Sequence, residues 1–241
     1  MTMSAKLIDL LNRGAELDEG ELPLASRVAE CLRQRRRLSD HLFDRFLPNQ
    51  LRLVSGSFWT PLVVALRVAE WIDELQIRTV VDIGSGAGKF CVAAALASRA
   101  QFRGVEHRGR LVTASRELAR VFEVEDRVAF LHGALERVSG QEPDAYYIYN
   151  PFEENLFGPE YHLDEEVELG HDRYLEDLTT VEQLLGDAQV GTYLVTYNGF
   201  GGRIPSSFSE LRVDRALPNV LRLWQKTSRM GTGRPHHADA L

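Results

Sequence analysis

Two short stretches carry the residue types that chemistry needs. The first is Asp82-Ile83-Gly84-Ser85-Gly86-Ala87-Gly88-Lys89. Glycines at this density let backbone N–H groups come close to a ligand where a strand hands over to a helix. A phosphate-binding nucleotidase loop requires Gly-x-x-x-x-Gly-Lys-Ser/Thr. Here Lys89 is followed by Phe90, and Ile83 stands where the first glycine belongs. A dinucleotide fingerprint requires Gly-x-Gly-x-x-Gly, whereas Gly88 arrives one residue early. What remains is acidic-x-Gly-x-Gly-x-Gly. Glu106 adds a second coordinate about twenty residues beyond Gly84, where a carboxylate can accept hydrogen bonds from both hydroxyls of a ribose. By itself this acid points only to an adenosine-type ligand, the alternative being a surface acid that caps the next helix.

The second stretch is Tyr146-Tyr147-Ile148-Tyr149-Asn150-Pro151-Phe152-Glu153-Glu154. The side-chain oxygen of Asn150 and the carbonyl of Pro151 can accept hydrogen bonds from an amine or amide. Phe152 offers an aromatic face of the kind that stabilises a cation. Asn-Pro is also a common way to end a strand in a turn. At least two of the three tyrosines are expected in the core.

The elements that must position these residues follow from periodicity. Helical spacing predicts helices from Ser4 to about Leu53, through Leu7, Leu10 and Leu11, then Leu24, Val28, Cys31 and Leu32, then Leu38, Leu42, Phe43 and Phe46. Pro48 and Asn49 are expected to close the last of them. After a break from Gly56 to Pro61, a helix is expected from Pro61 to Leu75, with proline in its first turn. Strands are then predicted at Thr79–Ile83, Phe102–Glu106, Val128–His132, Ala145–Tyr149 and Thr192–Tyr197. The intervening helices are Lys89–Ser98, Leu111–Phe122 and Tyr174–Leu185. Phe208–Val213 and Val220–Trp224 read as a closing antiparallel pair. This alternation is that of a doubly wound, mostly parallel α/β sheet with helices on both faces. Ligands bind such sheets at the carboxyl ends of the strands, which places function just after Ile83, Val105, Leu131 and Ile148.

The glycine pattern with its leading acid resembles motif I of the class I S-adenosylmethionine-dependent methyltransferases, from about Phe58 to Lys226. The resemblance implies a seven-stranded Rossmann-like sheet with an antiparallel closing strand, plus an N-terminal helical extension outside the family pattern. The corresponding domains are 1–55, 56–227 and a loose tail, 228–241. The implied cofactor is S-adenosylmethionine. Asp82, Gly84, Ser85, Gly86 and Gly88 would cradle its amino acid end, Thr60 would hydrogen-bond its carboxylate, and Glu106 would hold its ribose. His107 follows that acid, and His132, Gly133 and Ala134 would border the adenine. The family often carries an acid or Asn near Ala134, and this chain does not.

Asn150, Pro151 and Phe152 fall where the family faces the sulfonium methyl. Amino-group methyltransferases carry Asn/Asp-Pro-Pro-Tyr/Phe there, and the second proline is absent. A weaker likeness is to the nucleosomal lysine methyltransferases outside the SET class, through Gly104-Val105-Glu106, Asn150 and Phe152. The resemblance therefore implies methylation of a nitrogen on a protein side chain or small amine. The alternatives are a cofactor-binding module without activity and a nicotinamide-dependent oxidoreductase, against which the early third glycine argues.

Composition narrows the partners. The chain has 241 residues, 44% of them hydrophobic, with 28 Lys and Arg against 35 Asp and Glu and a net charge of -7. A chain this long can bury a full core without staples, and its charge disfavours broad contact with nucleic acid or anionic membrane. Between Glu153 and Glu182 stand eleven acidic residues and one basic residue, Arg173. This segment could rim a substrate entrance suited to a basic peptide, protein or polyamine, or be a solvated loop and helix face. Tyr161, His162, His171 and Tyr174 within it are candidate general bases, each more readily explained structurally. The basic run Arg33, Arg35, Arg36 and Arg37 reads as a solvated helix face. Cys31 and Cys91 read as buried free thiols in a reducing compartment, with no spacing for a metal site. The N-terminus is too charged for a signal peptide, so a cytoplasmic protein is expected. The apolar faces of the N-terminal helices must be buried, over the substrate side or in a homodimer.

Overall fold

The computed structural model describes residues 21–134 and 142–228. Its strands are β1 (Thr79–Ile83), β2 (Gln101–Glu106), β3 (Val128–His132), β4 (Ala145–Ile148), β5 (Tyr193–Tyr197), β6 (Phe208–Asp214) and β7 (Leu221–Lys226). They form one sheet in the order β3-β2-β1-β4-β5-β7-β6. The first five are parallel, while β7 runs antiparallel to both β5 and β6. The order reverses between β1 and β4, the position at which doubly wound sheets open a crevice. Ile83 pairs with both Val105 and Ile148, so the three strands finish level. The residues that follow them therefore emerge side by side.

The two faces of the sheet separate by strand period. Val80, Ala145 and Tyr147 point into one apolar cluster, and Val81, Ile83, Tyr146 and Ile148 into the other. Tyr146 and Tyr147 are thus core residues, as expected, and Tyr147 stacks on Phe90.

The helices are α1 (Glu21–Arg33), α2 (Asp40–Asp44), α3 (Asn49–Leu53), α4 (Ser55–Phe58), α5 (Leu62–Glu74), α6 (Lys89–Ala97), α7 (Gly109–Val121) and α8 (His171–Asp187). All of α6 is buried, in keeping with its apolar composition all round. Val28, Leu32, Phe43 and Leu51 of the N-terminal helices lie in the same cluster as α5 and α6. Phe43 stacks on Phe122 with ring centres 4.9 Å apart. The apolar faces of the described N-terminal helices thus find cover within the chain, and the core runs across the boundary expected near residue 55.

Three expectations are corrected. Pro48 and Asn49 open a helix, α3, rather than close one; proline lacks the N–H that a helix start leaves unpaired anyway. The break from Gly56 to Pro61 contains the short helix α4, and its glycine does not prevent one turn from forming on a packed surface. Cys31 is half-buried, since only Cys91 lies wholly inside. The helix expected from Ser4 with Leu7, Leu10 and Leu11, and nearly all of the tail expected from Ser228, lie outside the described residues. Among the described residues, no helix is long and apolar enough to cross a membrane, and no cluster of His, Cys, Asp and Glu could hold a metal.

Candidate active site

The turn after β1 is built for close approach. Gly84 and Gly86 have φ of +74° and +54°, in the left-handed region that glycine enters without strain. A Cβ on Gly84 would stand 2.4 Å from Cβ of Pro151, and one on Gly86 would stand 2.4 Å from the ring of Trp59. The amides of Gly84 and Ser85 both donate to the carbonyl of Val105 at 3.0 Å, latching the turn to the end of β2. Gly88 donates to the Ser85 carbonyl at 2.9 Å and caps α6.

Glu106 is buried at the end of β2. Its Oε2 accepts from the Gly86 amide at 3.0 Å and its Oε1 from the Arg108 amide at 2.9 Å. Burial raises its pKa, against the lowering effect of Arg108 and of these amides. Asp82 lies deeper and accepts a hydrogen bond from the Cys91 thiol at 3.3 Å. Burial pushes Asp82 up to about 7, with Glu106 adding to the rise and the thiol opposing it. The same burial, with the charge of Asp82 beside it, pushes the Cys91 thiol well up.

The catalytic-type turn sits across from the glycines. Asn150 has φ of +40°, its amide donates to the Gly199 carbonyl at 3.0 Å, and its side-chain amide donates to Glu153. The Asn150 oxygen is therefore the group left to accept from a ligand. Tyr149 packs against Tyr197 and is held protonated, its pKa raised by burial and then by the charges of Tyr197 and Glu153.

These parts surround a cavity of about 280 Å³ at the carboxyl end of the sheet. Gly84, Gly86 and Glu106 form its floor, Tyr149, Asn150, Pro151 and Glu153 one wall, and Ser57, Phe58 and Trp59 another, with Phe157 and Tyr161 completing the lining. A smaller recess of about 20 Å³ adjoins it, lined by Thr60, Asp82, Ser85 and Lys89. The Ser85 hydroxyl is buried against Gly104 of β2, without a hydrogen-bond partner among the described residues.

A second small cavity, of about 40 Å³, shares Gly84, Glu106, Arg108 and Pro151 with the first, and is also lined by His107, Gly133, Ala134, Phe152, Arg173 and Asp177. His107 is held neutral by burial and by the nearby charges of Arg108 and Arg173, which outweigh Asp177 and Glu154.

The structure thus brings together most of the residues singled out from sequence, with three differences in role. Thr60, expected to face a cofactor carboxylate, has its hydroxyl against the Tyr147 hydroxyl at 2.9 Å. Phe152 was expected beside the acceptor; it packs instead in the core cluster with Val81 and Ile83 and lines the smaller cavity. It lies in the turn beyond β4, past Asn150 with its φ of +40°. The acidic segment divides rather than forming a uniform rim. Glu154 and Asp164 pair with buried Arg108 at 3.0 and 3.2 Å, and Asp164 and Glu166 pair with Arg110. Glu153, Glu160, Glu165 and Glu168 stay exposed.

Of the candidate bases, only Tyr161 lines the large cavity. His162 contacts the Phe157 carbonyl, His171 stacks on Tyr174, and the Tyr174 hydroxyl packs against Gly201. Arg35 of the basic run is engaged with Asp73 and the Ala97 carbonyl.

Sequence reasoning missed several contributors. Lys89, buried at the start of α6, pairs with Asp40 and Asp44 at 2.7 and 2.8 Å and with the Ser55 hydroxyl at 3.1 Å. It ties the N-terminal helices to the glycine turn. Arg108 was missed as well. The Asn198-Gly199 turn after β5, with φ of +58° and +74°, was readable as a second Asn-bearing strand end and supports Asn150.

This is the mostly parallel seven-stranded fold of the class I S-adenosylmethionine-dependent methyltransferases. Among solved structures, the chain is similar to an RNA methyltransferase from Salinibacter ruber in complex with S-adenosyl-L-homocysteine, at 21% identity, covering 75% of this chain and 99% of that one, with a TM-score of 0.51. A candidate O-methyltransferase from Klebsiella pneumoniae is 15% identical over 84% of this chain and 97% of its own, with a TM-score of 0.52. The mitomycin 7-O-methyltransferase MmcR is 16% identical over 77% of this chain and 57% of its own, at 0.51. No family model and no curated protein sequence matches the chain.

Proposed function

We propose that this protein is an S-adenosylmethionine-dependent methyltransferase that methylates a nitrogen, on a small amine or a basic side chain. The observation that carries this reading is convergence: the glycine turn, Glu106 and the Asn150 turn line one cavity. The fit to the cofactor rests on the chain's own chemistry. The turn presents backbone where a Cβ would not fit, and the Ser85 hydroxyl buried within it has no hydrogen-bond partner among the described residues. Glu106 keeps acceptor capacity for two ribose hydroxyls after binding two amides, because a carboxylate has about four lone-pair sites. The Salinibacter neighbour, described with S-adenosyl-L-homocysteine, is consistent with that assignment.

When bound, the cofactor supplies an activated methyl on a sulfonium. The protein then has to align an acceptor and strip it of water. The Asn150 oxygen orients an acceptor N–H, and Glu153, fixed by the Asn150 amide, provides a carboxylate beside the acceptor. Tyr149, Phe58, Trp59, Phe157 and Tyr161 supply aromatic walls, which suit a cationic amine. Exposed Glu153, Glu160, Glu165 and Glu168 favour the same sign of substrate and oppose a polyanion. The helices α1 to α4 act as a cover whose end, from Ser57 to Trp59, closes one side of the cavity.

Calorimetric titration with S-adenosylhomocysteine, with NADH as control, tests the cofactor assignment. Micromolar binding of the former alone is expected, followed by methyl incorporation into lysine-rich peptides or polyamines from labelled cofactor. Failure of a folded protein to bind, or transfer confined to hydroxyl acceptors, would overturn the respective half of the reading.

A further inference from the structure

Between Phe152 and His171 the chain forms two short 3-10 turns, Glu153–Leu156 and Pro159–Tyr161, and no strand or α-helix. A connection this long in a compact domain tends to carry function, and this one gives Glu153, Glu154, Phe157, Tyr161 and Leu163 to the large cavity. The backbone bonds of its turns join near neighbours only, so side chains must fix it in place. Asn155 closes its ends, donating to the Phe152 carbonyl at 3.0 Å and accepting from the Gly170 amide at 3.1 Å. The start of α7 holds its middle. Asp164 pairs with Arg108 at 3.2 Å and with Arg110, whose guanidinium also donates to the Leu163 carbonyl at 3.2 Å. Glu154 pairs with Arg108 at 3.0 Å and accepts from the Leu163 amide at 2.5 Å, while Glu166 accepts from the Gly109 amide at 2.5 Å.

Resting on the methyltransferase reading above, we infer that Asp164 is a positioning residue for a cationic acceptor, acting through Arg108 and Arg110. Asp164 does not itself line the cavity, and its side chain is 9% exposed. It joins both guanidiniums at the centre of the network, and so sets the stretch carrying Glu153, Phe157 and Tyr161 against Asn150. It also offsets charge. Arg108 lines the cavity, where a lone guanidinium would repel a cation. With Glu154, Asp164 and Glu166 around Arg108 and Arg110, carboxylates outnumber guanidiniums, and a buried charge of this kind has to be paired. Loss of Asp164 therefore loosens the wall and leaves Arg108 less compensated, and both changes disfavour a cation beside Glu153.

The test compares calorimetric titrations with S-adenosylhomocysteine and with sinefungin, an analogue that carries an ammonium group in place of the transferable methyl. The native protein is expected to bind sinefungin at least tenfold more tightly, because the ammonium meets Glu153 and the Asn150 oxygen. Asp164→Ala is expected to reduce that preference to threefold or less, with S-adenosylhomocysteine binding within threefold of native. Hydrogen exchange in the same variant is expected to quicken across residues 153–170 and to stay native in α6. Asp164→Asn, read the same way, serves if the first variant fails to fold by circular dichroism. An undiminished preference in the folded variant, or exchange quickened evenly over the chain, overturns the inference and leaves the cofactor reading intact. Equal binding of both compounds by the native protein overturns it together with the cationic-acceptor half of that reading. Binding of neither compound overturns the cofactor assignment as well.

Discussion

Glu106→Gln is the perturbation that separates the roles of this acid. In the native protein one carboxylate oxygen accepts from Gly86 and the other from Arg108. A carboxylate has about four lone-pair sites, so roughly two remain for ribose hydroxyls. The glutamine amide keeps one acceptor oxygen and turns an NH2 group toward whichever backbone amide it does not serve. That amide is then buried and unpaired, at a cost of about 1–3 kcal/mol in stability. For a chain of this size each kcal/mol lowers Tm by roughly 2–4 °C, so a fall of roughly 2–12 °C is expected. On the ligand side, one hydrogen bond to a charged group is lost, worth about 1.5–3 kcal/mol. That corresponds to a Kd for S-adenosylhomocysteine weaker by roughly ten- to a hundredfold. Scanning calorimetry and titration calorimetry on the same preparation read both effects. A folded variant with unchanged Kd would refute the ribose assignment, and unchanged Tm would refute the bridging of the turn to α7.

Further outcomes follow from the same geometry. Asp82 has its pKa raised from 3.8 to about 7, so the native state holds a proton that the unfolded chain releases, and stability falls as pH rises between about 4 and 7. The contribution is on the order of 4 kcal/mol; Asp82→Asn should flatten the decline of Tm across that window, and an unaltered decline would count against it. Lys89→Met removes the partner of buried Asp44 and of Asp40, a change expected to cost ~3 kcal/mol or more and visible in urea melts. Gly84→Ala forces an alanine to φ of +74° and into Pro151, costing at least about 1–2 kcal/mol; an unchanged unfolding midpoint would contradict the close packing of the two turns.

What the sequence determined by itself was everything set by local rules. The run Thr79–Ile83 is β-branched and ends at Asp82 and the glycines, so a buried strand followed by a tight turn was legible from neighbouring residues alone. The same holds for Glu106 at the end of the next strand and for Asn150 after Ala145–Ile148, because strand, turn and helix recur at regular spacing in a parallel sheet. The tertiary structure decided which of these groups touch. Thr60 meets Tyr147, Lys89 meets Asp40 and Asp44, Arg108 meets Glu154 and Asp164, and Phe152 turns toward the core rather than the acceptor side. Asp177 reaches the cavity beside Ala134 from a helix beyond the next strand. None of these pairs has a periodic signature, because each joins distant segments through burial, and a buried charge takes whatever countercharge the folded chain brings within reach.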